Sequence, residues 1–238
     1  MSRALEKKIA VVTGGSGAIG SAIIAGLEQQ GACAVSLDVA PPAAAPFLIC
    51  DVRDDGSVAS AIAKVQDSYG RLDLVVHAAG VSREAVIWKL SVEDWDFVQS
   101  VNLRGAFLLL RHAMPVMRAG EGGRIVLIGS INGSRGKFGT SAYSASKAGL
   151  IALAKTVARE VARLGILINV VEPGWVRTPL TDSLPQAVRD AALAENLVGK
   201  FVEPADVAAA VAFLCGPGAQ QITGQILRVD GGQSLGSA

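Results

Sequence analysis

The chain has 238 residues, of which 50% are hydrophobic, 18% charged and 5% aromatic, and its 22 basic and 21 acidic side chains leave a net charge of +1. That length can bury a sizeable core, and a charge content below the ~25% of ordinary globular chains excludes charge-driven disorder. Near-neutrality argues against nucleic acid or an anionic membrane as the main partner, because both are held by an excess of Lys and Arg.

In chain order, residues 8–12 form a short apolar run ending in glycine, and 21–30 follow with helical spacing and Gly31 as a stop. Residues 34–37 and 47–50 read as the next strands. The Pro-rich stretch 39–46 between them is too short for a covering helix and is expected to be a loop. Strands are predicted at 72–76, 124–128, 166–171 and 226–229, and helices at 54–69, 91–117, 142–164 and 204–214. The strands are continuous apolar runs of Ala, Val, Ile and Leu rather than alternating ones, as in parallel strands covered on both faces. Strands alternating with helices give right-handed βαβ units, so the expected fold is α/β: one domain over 1–238, a doubly wound (Rossmann) parallel sheet of about seven strands. Two stretches, 9–27 and 207–227, lack charge over about a membrane span, but glycines, Pro217 and Gln220-Gln221 interrupt them, so no membrane partner is expected. No basic-then-apolar leader opens the sequence, which points to the cytoplasm. Cys33, Cys50 and Cys215 are odd in number and set in apolar runs, and they read as buried small hydrophobes rather than a disulfide frame or metal site.

Thr13-Gly14-Gly15-Ser16-Gly17-Ala18-Ile19-Gly20 lies between the first strand and its helix, with Gly15, Gly17 and Gly20 in G-x-G-x-x-G spacing. Such a string alone is also what a flexible turn looks like. After a first strand it reads as a phosphate loop, because glycines let a pyrophosphate approach the backbone and the helix N-terminus offers free N–H groups. Asp38 ends the second strand, where a carboxylate accepts from ribose hydroxyls and repels a 2′-phosphate; no Arg or Lys stands at Gly15, Ser16 or Val39 to grip that phosphate. The cofactor reading is therefore NAD rather than NADP, against the alternative of an Asp that merely shapes a turn.

Tyr143 and Lys147 stand four apart on a predicted helix, on one face. By itself Y-x-x-x-K is common on solvated helices. Here Ser130 ends the preceding strand, at the edge where open α/β sheets place ligands, Asn102 lies in the long helix before it, and Pro173-Gly174 follows the next strand.

With these motifs the sequence resembles the short-chain dehydrogenase/reductase family of the single-domain type, from Ile9 to Gly232. Further matching segments are Asp51-Val52, His77-Ala78-Ala79-Gly80, Thr178, Ile222-Thr223-Gly224 and Val229-Asp230-Gly231-Gly232. Ala18 departs from a loop glycine usual in the family, and His77-Ala78 stands where the family has an Asn pair; His77 is read as a structural histidine rather than a pH-sensing one. The resemblance implies Tyr143 as general base or acid, and Lys147 lowering its pKa and holding the nicotinamide ribose. It further implies Ser130 on the substrate oxygen, and Asn102 binding a water that links Lys147 to solvent. Cofactor contacts are implied for Gly14, Gly15, Ser16, Gly17, Ala18, Ile19 and Gly20, for Asp38, Asp51 and Val52, and for Ala78, Ala79 and Gly80. They are also implied for Tyr143 and Lys147, for Pro173 and Gly174, and for Val176 (through its backbone) and Thr178 at the carboxamide. A homotetramer built on the long helices and the last strand is implied as well.

Within the family, 83–102 and 141–160 resemble 3-oxoacyl carrier-protein reductases most, implying 3-oxoacyl/3-hydroxyacyl thioester chemistry. Asp38 and a thin basic surface (Glu121 and Leu164 near the helix ends, with Arg118, Arg124 and Arg163 remaining) keep a catabolic NAD-dependent dehydrogenase of a cyclic alcohol or dihydrodiol as the alternative. A non-catalytic dinucleotide-binding protein is the remote one, since Ser130, Tyr143 and Lys147 are all present. Enoyl reductases usually space their Tyr and Lys more widely. Asn132, Phe138, Trp175, Leu180 and Leu184 are the expected pocket lining, with a substrate lid around 180–200; an ordinary core seal is the competing account of Trp175 and the leucines.

Overall fold

A computed structural model describes residues 4–41 and 45–236; the side chain of Leu180 lies outside the described residues, as do positions 42–44 of the expected Pro-rich loop. Among the described residues there is one sheet of seven parallel strands, in the order β3-β2-β1-β4-β5-β6-β7. The strands are β1 (Ile9–Thr13), β2 (Cys33–Asp38), β3 (Phe47–Ile49), β4 (Leu74–His77), β5 (Gly123–Ile128), β6 (Ile166–Pro173) and β7 (Ile226–Val229). The helices are α1 (Ala18–Gln29), α2 (Asp55–Tyr69), α3 (Val92–Gln99), α4 (Gly105–Ala119), α5 (Ile131–Arg135), α6 (Ser141–Val161), α7 (Pro179–Asp182), α8 (Gln186–Ala194) and α9 (Pro204–Cys215). No helix among them is long and apolar enough to cross a membrane.

The unbroken apolar runs follow from burial on two faces. Successive strand side chains point to opposite sides, so Val11, Val75, Ile125 and Ile168 pack with Leu109 and Leu150, beneath α2, α4 and α6. Their neighbours Ala10, Val12, Val76 and Val126 pack instead with Ile23, Leu27, Val211 and Leu214, from α1 and α9. Each strand residue is thereby committed to one of two cores. Of the cysteines, Cys50 and Cys215 are buried as expected, whereas Cys33 is only half-buried; all three are free.

Local differences from the sequence reading have local causes. The first helix begins at Ala18, before the expected Ser21, because Gly17 is already an extended N-cap with no side-chain cap. The predicted helix 91–117 is interrupted: Ser91 caps α3 by accepting from the Asp94 N–H, and a π-helical turn, Ser100–Arg104, separates α3 from α4. Such turns insert one residue and are frequent at functional sites. In the expected lid the chain forms α7 and α8. Local chemistry starts α7: the Thr178 side chain accepts from the Thr181 N–H, and Pro179 opens the helix.

The first turn after β1 is closely packed. Gly14 has φ +69°, and a Cβ there would lie 2.6 Å from the Ala79 nitrogen and 2.7 Å from its Cα. Gly14→Ala combines left-handed strain of ~1–2 kcal/mol with overpacking against backbone of ~1–3 kcal/mol. The urea midpoint should record a loss of about 2–5 kcal/mol. Gly70 has φ +71° and open space around it, so Gly70→Ala should lose only the strain component, about 1–2 kcal/mol. Equal losses in the two variants would remove the steric argument.

Candidate active site

The loop after β1 and the ends of β2 and β4 enclose a cleft of about 340 Å³, lined among others by Gly14, Gly17, Asp38, Asp51, Val52 and Gly80. The loop is folded by Gly14 N–H donating to the Leu37 carbonyl and Gly17 N–H to the Gly14 carbonyl. A Cβ at Gly20 would run into that same Gly14 carbonyl, so α1 can approach only because the position is glycine. Asp38 faces the loop: its Oδ2 accepts from the Ser16 N–H (3.0 Å) and its Oδ1 from the Val39 N–H (2.7 Å). Ser16 also donates its hydroxyl to the Ala40 carbonyl. Arg53 grips Asp51 through Nε and NH2, which holds that carboxyl below the usual range. Val52 is buried against Gly105. A glycine-lined cradle under an uncapped helix start, with a carboxylate at the neighbouring strand end, fits a dinucleotide's pyrophosphate and ribose. Arg53 and Phe97 also line the cleft; the sequence reading missed both, and a lone Arg two residues after Asp51 is a weak signal.

Beneath the cleft His77 ties three elements together. It is completely buried; its Nδ1 lies 2.9 Å from Thr13 Oγ1 and its Nε2 3.2 Å from the Asn102 carbonyl oxygen. That carbonyl can only accept, so Nε2 carries the proton, Nδ1 accepts, and the Thr13 hydroxyl donates to it. The Ala79 N–H donates in turn to Thr13 Oγ1 at 3.3 Å, and the Ala78 N–H to the Thr13 carbonyl. Burial pushes the imidazole pKa down to about 3, with the Lys147 ammonium adding to the shift. The histidine is neutral and structural, as the sequence reading had it.

Asn102, on the π turn, spends its whole amide on bracing. Oδ1 accepts from the Val81 N–H at 2.8 Å, while Nδ2 donates to the Val81 carbonyl and to Ser146 Oγ at 2.9 Å. Ser146 donates back to the Tyr143 carbonyl, so Asn102 fixes both the loop after β4 and the first turns of α6.

Ser130 lies two residues beyond the end of β5, not within the strand as expected, and caps α5, its Oγ accepting from the Asn132 N–H. One turn apart on α6, Tyr143 and Lys147 lie over each other, Nζ being 5.6 Å from the phenol ring centroid. Lys147 is buried and donates to the Ile128 carbonyl at 2.7 Å; burial lowers its pKa to about 8, leaving it charged at neutral pH. Burial raises the pKa of the Tyr143 phenol, the Ser130 hydrogen bond opposes that shift, and the Glu84 carboxylate adds to it. Desolvation outweighs the other influences on the phenol, and the ammonium is engaged with the Ile128 carbonyl.

Pro173 and Gly174 turn at the same edge. Gly174 donates to the Val229 carbonyl, and a Cβ on it would lie 2.8 Å from both Asp230 Cβ and Gln233 Oε1. The Val176 carbonyl accepts from Thr181 Oγ1, and Thr178 caps α7. The expected pocket residues do not gather in one place. Phe138, 86% exposed, lines an apolar groove of about 360 Å³ with Ile87, Trp88 and Ser144. Trp175 and Leu184 are not among the residues lining it. Trp175 packs against Phe201 (6.1 Å between centroids) under the Lys137 ammonium, and Leu184 is half-buried behind α7. Asn132 is drawn towards Arg135. Ile87 and Trp88 were not anticipated; an exposed aliphatic–aromatic pair just after the fourth strand was the available signal.

The sequence profile of a family described as Enoyl-(Acyl carrier protein) reductase matches residues 16–234. The chain is 35% identical over 242 residues to the 3-oxoacyl-[acyl-carrier-protein] reductase of Thermotoga maritima, covering 96% of this chain and 98% of that one. It is 38% identical to the acetoacetyl-CoA reductase of Synechocystis sp., covering 97% and 98%. The ligand-free aldohexose dehydrogenase of Thermoplasma acidophilum superposes with a TM-score of 0.91 at 30% identity, covering 97% of this chain and 95% of that one. Likeness of this extent, in sequence and in fold, reaches every segment that frames the cleft: the chain belongs to the short-chain dehydrogenase/reductase family of oxidoreductases.

Proposed function

We propose that this chain interconverts a 3-hydroxyacyl and a 3-oxoacyl thioester with NAD(H), Tyr143 moving the proton. The observation that carries this reading is the meeting of the Ser130 hydroxyl, the Tyr143 phenol and the Lys147 ammonium at the carboxyl edge of the sheet, beside the dinucleotide cleft. A bound nicotinamide dinucleotide supplies or accepts the hydride. In reduction the Tyr143 hydroxyl gives its proton to the substrate oxygen while Ser130 donates a hydrogen bond to that oxygen and fixes its distance. In oxidation the phenol must be the base. Bringing it down by ~3 units takes about 4 kcal/mol of differential interaction, to which the Lys147 charge and the Ser130 hydroxyl contribute. Asn102 steadies Tyr143 and Lys147 through Ser146. Val176 and Thr178 hold the carboxamide end, and α7 and α8 act as the lid. Self-association through α4, α6 and β7, and a cytoplasmic location, complete the reading.

The thioester assignment is supported by the two reductase relatives and by the four-residue spacing of Tyr143 and Lys147, which is closer than enoyl reductases use. Asp38 supports NAD: its carboxylate stands where a 2′-phosphate would have to sit. Asp38→Ala should shrink the preference for NADH over NADPH, in the ratio of kcat/KM, by roughly tenfold, the worth of one exposed charge contact of ~1.4 kcal/mol. An unaltered ratio removes Asp38 from the specificity. A second reading, oxidation of a cyclic alcohol, is favoured by the aldohexose dehydrogenase likeness together with the exposed Glu121 and Leu164, neither of which offers an acidic carrier protein a cation. Acetoacetyl-CoA tested beside a panel of cyclic and aliphatic secondary alcohols, with both nicotinamide cofactors, decides between them. Turnover of the cyclic alcohols alone overturns the first reading.

A further inference from the structure

Glu172 is a carboxylate set inside a parallel strand that is otherwise almost wholly apolar. It sits at the carboxyl end of β6, directly before the Pro173-Gly174 turn, with no exposed surface. Its Oε1 accepts from Ser134 Oγ at 2.7 Å and its Oε2 from Arg228 Nε on β7 at 3.1 Å. A buried carboxylate is tolerated only when its oxygens are bonded in this way, and such a pair adds little net stability compared with apolar packing. Its place in the fold points to another use.

Ser134 belongs to α5, the short helix that Ser130 caps. The residue before that cap, Gly129, lies directly over the carboxylate stem: a Cβ there would be 3.3 Å from Glu172 Cγ. On its opposite side α5 abuts α6, where a Cβ on Gly133 would lie 2.9 Å from the backbone carbon and Cβ of Lys147. Arg135 anchors the far end of α5 to the Gln233 carbonyl and to Glu195. A five-residue helix has little stability of its own, so its orientation is set by these clamps. The hydroxyl of Ser130 moves with it.

We propose that Glu172 is a positioning residue for Ser130: through Ser134 it fixes the rotation of α5, and with it the approach of the Ser130 hydroxyl to Tyr143. This rests on reading Ser130 and Tyr143 as the acid–base pair. The charged groups acting on that phenol are Glu84, from the loop after β4, and Lys147, one turn along α6.

The test compares Ser134→Ala, Glu172→Ala and Glu172→Gln on a secondary alcohol that the unaltered chain oxidises, 3-hydroxybutyryl-CoA being tried first. Displacing a positioned group by a fraction of an ångström to 1 Å should lower kcat roughly 10- to 100-fold in Ser134→Ala and Glu172→Ala. The KM for NAD should stay within about twofold, because the cleft is untouched. The acid limb of the kcat profile should move to higher pH, since the Ser130 hydrogen bond holds the phenol's pKa down. Glu172→Gln keeps an acceptor for Ser134 and should restore most of the rate. The double variant Ser134→Ala/Glu172→Ala should be no slower than Glu172→Ala alone. A Ser134→Ala protein whose thermal midpoint falls while kcat and the acid limb are unchanged overturns the proposal, leaving a merely structural bond. Tyr143→Phe, assayed in parallel, separates the failures. Activity surviving in it overturns the acid–base reading itself, whereas an inactive Tyr143→Phe beside an unaffected Ser134→Ala overturns only the role of Glu172.

Discussion

Tyr143→Phe is expected to leave a folded protein that still binds NADH but turns substrate over roughly 10²–10⁴-fold more slowly, the usual worth of a positioned general acid or base. The substitution removes one oxygen. The ring stays beneath the Lys147 ammonium, which the quadrupole of Phe also attracts, and the hydrogen bond lost to Ser130 is worth about 1 kcal/mol. Stability should therefore change little. NADH affinity, read from the quenching of the three tryptophans, should stay within about twofold, because the phenol touches only the reacting end. A variant that retains a third or more of the wild-type kcat, on any substrate the parent uses, ends the assignment of Tyr143 as the proton carrier.

Acidification should begin to destabilise the chain before its carboxylates titrate, and His77 is the reason. Its folded pKa is depressed from 6.5 to about 3. Between those values the unfolded chain binds a proton that the native state refuses, so stability falls as pH falls through that window. The contribution is fully present above the unfolded value and gone below the folded one. Integrated over the window it is on the order of 4–5 kcal/mol, of which about 2 kcal/mol is lost between pH 6.5 and 5. Asp73, also held below the carboxylate range in its contacts with Lys8, Arg71 and the Ile9 N–H, adds a loss only at lower pH. Urea titrations at several pH values, in a His112→Gln background that removes the other histidine, isolate the effect. His77→Asn should flatten the slope between pH 5 and 6.5; an identical slope in that variant would assign the acid sensitivity elsewhere.

The sheet and the dinucleotide cleft were legible because their causes are local. A strand buried on both faces must read as an unbroken apolar run, so β5 and β7 were placed within one residue at each end, and a glycine that must admit backbone shows in the string itself. The π turn at Asn102 was not legible. It is held by the His77 ring and the Val81 backbone, contacts 21 to 25 residues away in sequence that no helical periodicity encodes. Helices α5 and α7 are too short to signal themselves by propensity, and Glu172 gave no sign of its partners because Ser134 and Arg228 lie 38 and 56 residues distant. The desolvation of the Tyr143 phenol was not legible for a related reason. The motif shows that an ammonium is near, but not that its proton is directed at the Ile128 carbonyl, nor that burial raises the phenol's pKa.

The brevity of β3 also governs how the molecule behaves when crowded. A parallel sheet with apolar side chains on both faces would be a dangerous template if its border were long, since unpaired backbone groups there recruit strands from other chains. Among the described residues, only three extend beyond β2 at this border, and Pro46, just ahead of them, has no N–H to offer an incoming strand. The exposed Ile49 thus ends a ledge too short to seed intermolecular strand addition, and an unusually apolar sheet is kept from propagating into fibres on that side.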